Sequence, residues 1–188
     1  IQILGGKYKD RLVIACDHIE AVSKKYFSHT LYSDDHGATW KLGGSTPKDQ
    51  VNECEVVELS DHSLMLNMRN YDRNRSSRQL AYSYDGGQSW GDMHHHETLI
   101  EPICQASTDR LKVKGKVYLL FANPANEKNR INMTLRASKD DGKTWPIQKQ
   151  IFSGPSAYSD ITVVDKKNIG ILYEGGYKGA YQGIVWES

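Results

Sequence analysis

Three times this chain writes nearly the same eight residues. Ser33-Asp34-Asp35-His36-Gly37-Ala38-Thr39-Trp40, Ser83-Tyr84-Asp85-Gly86-Gly87-Gln88-Ser89-Trp90 and Ser138-Lys139-Asp140-Asp141-Gly142-Lys143-Thr144-Trp145 share the form S-x-D-x-G-x-[ST]-W. Each copy has the chemistry of a tight turn. The Asp carboxylate can accept backbone N–H groups across the turn, and the Gly supplies a left-handed residue. The Trp offers a large apolar face to close the gap between sheets. A single Asp-Gly turn is common. Three copies whose opening serines lie 50 and 55 residues apart set a structural period, and a period near 50 residues built from strands predicts a β-propeller.

The stretches between the motifs agree. Runs such as Arg11–Cys16, Glu55–Leu59, Ser63–Met68, Lys116–Phe121, Ile161–Val164 and Ile169–Tyr173 are short, apolar or alternating, and bounded by Gly, Asp, Asn and Ser. That is the strand-and-turn pattern, and no segment reads as a helix. The fold class expected is all-β, a propeller of four-stranded antiparallel blades. With each motif joining the third and fourth strands of a blade, the chain divides into units of about 1–48, 49–99, 100–152 and 153–188. The fourth stops after three strands, at Gly179–Trp186. Residues 1–188 then form one partial propeller domain. The chain opens on Ile1-Gln2-Ile3-Leu4, which reads as a strand entered midway.

Composition narrows the partners. Of 188 residues, 24 are Lys or Arg and 23 are Asp or Glu, a net charge of +1. A polybasic nucleic-acid or membrane binder would carry a large basic excess, so neither partner is expected. No apolar run is long enough to span a bilayer as a helix. Cys16, Cys54 and Cys104 form no CxxC pair, which excludes a zinc ribbon or a thioredoxin motif. Met93-His94-His95-His96-Glu97 suggests metal. On a strand, however, only His94 and His96 share a face, and the segment falls in an outer strand. No metal site and no cofactor are therefore expected. Asn74-Arg75-Ser76 and Asn132-Met133-Thr134 are N-glycosylation sequons. Lys166-Lys167 and the alternating Lys112, Lys114 and Lys116 read as solvated turn and strand-end charges.

The repeats resemble the Asp boxes of the sialidase (neuraminidase) family. Asp boxes occur in other propellers too, so they speak for the fold more than for the activity. Other segments match more closely. Asn52-Glu53-Cys54-Glu55-Val56-Val57-Glu58-Leu59, followed by Leu66-Asn67-Met68-Arg69-Asn70, resembles the segment with a catalytic Glu and a carboxylate-binding Arg. Asn129-Arg130-Ile131-Asn132-Met133-Thr134 resembles the segment with another such Arg. Gly154-Pro155-Ser156-Ala157-Tyr158-Ser159-Asp160, then Leu172-Tyr173-Glu174, resembles the segment of the tyrosine nucleophile and a supporting Glu. Ile1–Gly6 and Ser33–Gly37 look most like animal lysosomal sialidases, although bacterial relatives share much of both.

The resemblance implies a retaining exo-α-sialidase acting on sialylated glycans or glycolipids. It implies Tyr158 as nucleophile, Glu53 as its base, Arg69 and Arg130 as a clamp on the substrate carboxylate, and Glu174 as a buttress for a further Arg. Gln105, in Cys104-Gln105-Ala106-Ser107, is a pocket-lining candidate. Alternation leaves Glu55 on the same strand face as Glu53, and Glu58 is a further competitor. The chemistry suits these residue types. Sialic acid bears a carboxylate on its anomeric carbon, and Arg offers that group a rigid bidentate fork. A carboxylate nucleophile would be repelled there. A neutral Tyr hydroxyl is not, but needs a base because its pKa is near 10. Sialidases are the recognised Tyr exception among glycosidases.

The resemblance also implies what this chain does not contain. Family members have six blades, and the first supplies an Arg-Ile-Pro-type segment and an Asp acid/base. Neither has a counterpart here. The four units correspond to the last four blades, so the expectation is a C-terminal part, inactive alone, whose partner is the N-terminal blades of the same protein. A secretory-pathway, lysosomal or extracellular setting is expected. Two other readings stay open. One is a non-catalytic carbohydrate-binding or structural propeller, which would have no reason to keep Tyr158, Glu53, Arg69 and Arg130 in register. The other is a trans-sialidase, which would use the same site.

Overall fold

The described residues form strands joined by turns and short connecting segments. A computed structural model describes residues 1–165 and 168–188, so the expectation for Lys166 and Lys167 lies outside the described residues. The described residues contain, in order, the strands β1 (Leu12–Ile19), β2 (Tyr26–Ser33), β3 (Lys41–Ser45), β4 (Val51–Glu58), β5 (Leu64–Asn70), β6 (Ser77–Ser83), β7 (Gly91–Ile100), β8 (Ser107–Val113), β9 (Lys116–Pro124), β10 (Ile131–Ser138), β11 (Ile147–Val163), β12 (Ile169–Gly175) and β13 (Gly183–Glu187). Among the described residues no helix is long and apolar enough to cross a membrane.

Among the described residues the strands pair antiparallel, and neighbours in sequence are neighbours in the sheets. β1-β2-β3 form one sheet and β4-β5-β6-β7 a second. β8 to β13 form a continuous series because β11 is shared. Its first half pairs with β10 through Ile147–Pro155, and its second half with β12 through Ser156–Val163. Ile1–Leu4 is not a full strand. It makes a single bridge, Gln2 to Leu12, because the chain turns back at Gly5 and Gly6.

The chain divides into two compact units, Ile1–His96 and Glu97–Ser188. In the first, Val13 from β1 packs with Val51, Val56, Leu64, Leu66, Met68, Ala81 and Trp90. In the second, Leu120, Ala122, Met133, Ile161, Ile171 and Tyr173 form the core. Leu64, Leu66 and Met68 on β5 and Leu120 and Ala122 on β9 enter these cores at period two, and the residues between them are buried as well, so both faces of these strands are covered.

The three motifs are superposable hydrogen-bond devices. Each opening serine donates to Oδ1 of the motif Asp, at 2.7 Å for Ser33 to Asp35, 2.8 Å for Ser83 to Asp85 and 2.7 Å for Ser138 to Asp140. The same serine oxygen accepts the N–H of Gly37, Gly87 or Gly142. The carboxylate then accepts both the backbone N–H and the hydroxyl of Thr39, Ser89 or Thr144. The glycines sit at φ between 83° and 89°, where a side chain is rarely tolerated. Each serine also faces a leucine on the neighbouring strand: Leu12 to Ser33, Leu64 to Ser83 and Leu119 to Ser138.

These bonds hold the Asp35 and Asp140 carboxyls down to about 2, chiefly through the hydroxyls of Thr39 and Thr144. A depressed carboxyl adds stability above its unfolded pKa of about 3.9 and loses it as pH falls through the folded value. Denaturation midpoints should therefore drop between about pH 4 and pH 2. Asp140→Asn should flatten that part of the profile in a urea titration, and an unchanged profile would count against the turns as the acid-sensitive element.

Contrary to what the motif leads one to expect, the three tryptophans do not all close a gap between sheets. Trp90 and Trp145 are 6% and 4% exposed, but Trp40 is 42% exposed. The reason is what each ring meets. Trp90 donates to Thr30 Oγ1 at 3.3 Å across to the β1-β2-β3 sheet, and Trp145 leans on Phe121 with centroids 5.8 Å apart. Trp40 lies over its own turn, near Gly37.

Candidate functional site

Two strands that supply the candidate residues are broken in the same way. In the β4-β5 ladder Val51 pairs with Asn70 and Cys54 with Met68, so β4 carries one residue more than β5 between the two pairs. In the β11-β12 ladder Ser156 pairs with Gly175 and Ser159 with Tyr173, the same break. Glu53 is the residue before Cys54, and Tyr158 the residue before Ser159. Arg69 follows Met68, and Glu174 follows Tyr173. Glu53 and Tyr158 thus occupy one structural position in two different sheets, and Arg69 and Glu174 occupy its neighbour. A bulge adds local twist and re-aims the side chains at it, which is why bulges concentrate next to active sites.

In the first unit Arg69 donates from Nη1 to Glu53 Oε2 at 2.6 Å, a short charge-assisted bond between side chains 13% and 29% exposed. The Arg69 guanidinium also lies 5.0 Å from the Tyr71 ring centre. The start of β4 is fixed from the adjoining sheet: Ser28 donates to the Asn52 carbonyl at 2.6 Å, and the Asn52 amide donates to Asp17 at 2.9 Å. The competing acids are placed otherwise. Glu58 is 3% exposed, accepts the Leu4 N–H at 3.1 Å and pairs with His62 at 2.7 Å. Glu55 sits in regular pairing opposite Asn67, and its charge acts on the amino terminus of Ile1.

In the second unit Arg130, Tyr158, Glu174 and Gln105 come together. Arg130 lies 5.7 Å from the Tyr158 ring centre and 5.9 Å from that of Tyr181. It donates from Nη1 to the Tyr181 hydroxyl and from Nη2 to the Ile103 carbonyl at 3.0 Å. Ile103 has φ of 56°, a costly conformation for a β-branched residue. Such strain persists where surrounding contacts over-determine it, often at functional sites. The Tyr158 N–H donates to Glu174 Oε2 at 3.2 Å. Gln105 clamps the next residue from both sides, donating to the Ser159 carbonyl at 3.0 Å and accepting its N–H at 2.9 Å. A cavity of about 250 Å³ lies against Gln105, Tyr158, Ser159, Asp160 and Glu174.

Tyr181 and Ile103 are partners of Arg130 that sequence reasoning missed. Tyr181 stands in Gly179-Ala180-Tyr181-Gln182-Gly183, read only as the end of the fourth unit, and nothing in its spacing marks it. The histidine run is on β7, the outer strand of its sheet. Its rings diverge. His94 stacks on Tyr82, with centroids 5.9 Å apart and 13° between planes, and His95 turns to Asp72 at 3.5 Å. Among the described residues no group of three or more His, Cys, Asp or Glu side chains could hold a metal ion.

Comparison with known proteins supplies the family. A BNR repeat-like domain model matches residues 6–172. The sialidase of Micromonospora viridifaciens is 36% identical over 183 residues, which cover 94% of this chain and 28% of that protein. Mouse sialidase-3 is 25% identical over 209 residues, covering 87% of this chain and 49% of that one. Among solved structures, the Hadza microbial sialidase Hz136 superposes with a TM-score of 0.80 at 34% identity, covering 87% of this chain and 32% of that chain. The chain thus spans less than a third of the bacterial relative and about half of the mouse one. It belongs to the BNR repeat-like, sialidase family, whose fold is of the β-propeller type.

Proposed function

We propose that this chain is the C-terminal portion of a retaining exo-α-sialidase, made of the last four blades of a six-bladed propeller. The substrate class is terminal sialic acid on glycans or glycolipids, in a secretory, lysosomal or extracellular setting. The observation that carries the reading is the repeated bulge, which gives a Glu on β4 and a Tyr on β11 the same place in their ladders, with an Arg beside the Glu and a second Arg near the Tyr ring.

The proposed chemistry follows from charge. Arg69 and Arg130 hold the sialic acid carboxylate. The Tyr158 oxygen attacks the anomeric carbon, Glu53 takes the phenolic proton, and the glycosidic bond breaks with its electrons on the leaving oxygen. An acid outside this chain protonates that oxygen. Water, deprotonated by the same outside group, then displaces the tyrosine from the anomeric carbon in a second inversion, giving net retention, and Glu53 returns its proton to the Tyr158 oxygen. Glu174 braces the site through the Tyr158 backbone and would pair a third Arg on another blade. Gln105 fixes Ser159 and with it the tilt of Tyr158.

The test is a fluorogenic sialoside assay on the 188-residue chain alone and on the chain supplied with the N-terminal two-blade segment of a relative. The chain alone is expected to be inactive, because general acid catalysis is worth roughly 10²–10⁴-fold and one Arg of the clamp is absent. Turnover only after complementation supports the reading. Robust turnover by the chain alone would overturn the division of labour. Within a complemented enzyme, Arg130→Lys should weaken binding of a sialic-acid analogue by about 1.5–3 kcal/mol, the loss of a charged hydrogen bond, read by calorimetry. Lys keeps the charge but not the fork.

A further inference from the structure

Among the described residues, the hydrogen bonds that hold Arg130 end on neutral groups: the Tyr181 hydroxyl at Nη1 and the Ile103 carbonyl at Nη2. Arg69, by contrast, is bonded to the Glu53 carboxylate. We propose that Tyr181 is a positioning residue whose hydroxyl fixes the plane of the Arg130 guanidinium, so that the fork meets a carboxylate and the site tells a sialic acid from its ester. The inference rests on the reading of Arg130 as a carboxylate binder.

The first argument is charge and donor count. A guanidinium carries five N–H donors, two of them on each terminal nitrogen. One bond from Nη1 and one from Nη2 therefore leave a donor on each. Two parallel N–H···O bonds from such a fork are what a bidentate carboxylate accepts. A phenol and a carbonyl orient the group without neutralising it, whereas an acid in either place would offset the charge that attracts a carboxylate.

The second argument is how the two holders are built. The Ile103 carbonyl belongs to a backbone at φ of 56°, which a β-branched residue adopts only when its surroundings impose it. Tyr181 stands on the connection between β12 and β13 and is 67% exposed. Pairing of Gly175 with Gly183 closes that connection at its base. Within it Lys178 donates its N–H to Gln182 Oε1 at 3.0 Å, and Gln182 donates its own N–H to the Gly179 carbonyl at 3.3 Å. Gly176 donates its N–H to the Pro155 carbonyl at 3.2 Å, which ties the connection to β11. Tyr181 is thus presented to Arg130 by a folded connection rather than by a core, and its hydroxyl can be removed without opening one.

The third argument is what remains once the hydroxyl is gone. The centres of the Tyr158 and Tyr181 rings lie 5.7 and 5.9 Å from the guanidinium carbon, and Tyr181→Phe keeps both rings. A ring attracts the cation without fixing its rotation, so the bond to Ile103 alone would set the plane. The fork would then have to be ordered by the ligand, at a cost in affinity. That cost falls on a carboxylate, which takes both terminal nitrogens at once, and spares an ester, which offers no pair of charged oxygens.

In the purified chain without ligand, the ¹⁵Nε–H signal of Arg130, assigned by its loss in Arg130→Lys, should shift in Tyr181→Phe and its order parameter should fall. Tyr177→Phe, whose ring packs on Phe152 instead, should leave that signal in place. In a complemented enzyme, 2,3-didehydro sialic acid and its methyl ester are set to compete with a fluorogenic sialoside. Tyr181→Phe should weaken binding of the acid by about three- to tenfold, the worth of one hydrogen bond. Binding of the ester and kcat should each change by less than about twofold, as when ground-state binding alone is lost, with the melting temperature unchanged. An Arg130 signal indifferent to Tyr181→Phe, or equal weakening of acid and ester, overturns the proposal. A wild-type enzyme that binds acid and ester equally overturns the reading of Arg130 itself, and the proposal with it. A wild-type preference for the acid that Tyr181→Phe retains in full overturns the role of Tyr181 alone.

Discussion

In a complemented enzyme, Glu53→Gln should lower kcat by about 10²–10⁴-fold, the usual worth of a positioned general base, and Tyr158→Phe by at least as much. The double variant should be no slower than the worse single one. Residues that act as a unit lose their effect together, so their losses do not add. The contrast with Glu55→Gln is what makes the experiment decisive. Glu55 sits in regular pairing beyond the bulge, and its removal should change kcat by less than about threefold if it lies outside the chemistry. Binding of a sialic-acid analogue should survive Tyr158→Phe, because the proposed mechanism assigns its carboxylate to Arg69 and Arg130 rather than to the phenol. Losses that simply multiply in the double variant would separate Glu53 from Tyr158 and end the pairing.

Trp90→Ala should destabilise the first unit by about 3–5 kcal/mol, the range for truncating a large core side chain. Trp90 is 6% exposed, packs among Val13, Leu64, Leu66 and Ala81, and spends its indole N–H on Thr30. Trp40→Ala, in the same position of the same motif, should cost below about 1 kcal/mol, as expected of a substitution at a largely exposed side chain. Urea titrations of both variants measure the difference. Equal losses would mean that the motif, rather than burial, sets the role of its Trp.

The motifs made the turns legible from sequence because their chemistry is local. Serine, carboxylate, glycine and hydroxyl all meet within eight residues, so spacing alone predicts the bonds. The fate of the closing Trp was not legible, because it depends on what another sheet presents. The candidate residues show the same divide. The surroundings of Tyr158 and Glu53 resembled known segments, but the bulge that equates them appears only once strands are paired. Glu53 and Glu55 alternate on paper, and the sequence has no mark for the extra residue that breaks the ladder. The partnership of Arg130 with Tyr181 joins residues 51 apart with the strands β10, β11 and β12 between them, beyond the reach of any local pattern.

β11 has a consequence for how the second unit comes apart. Because one uninterrupted strand of 17 residues borders both β10 and β12, neither ladder can open at its midpoint without loosening the strand that the other depends on. Amide exchange in β10 and β12 should therefore share a single opening event. Tyr158 lies just past the handover from one partner to the other, so this opening releases it. The candidate nucleophile would then be lost by a partial excursion of the second unit while the first remains closed, and in a complemented enzyme inactivation by heat or denaturant should run ahead of global unfolding.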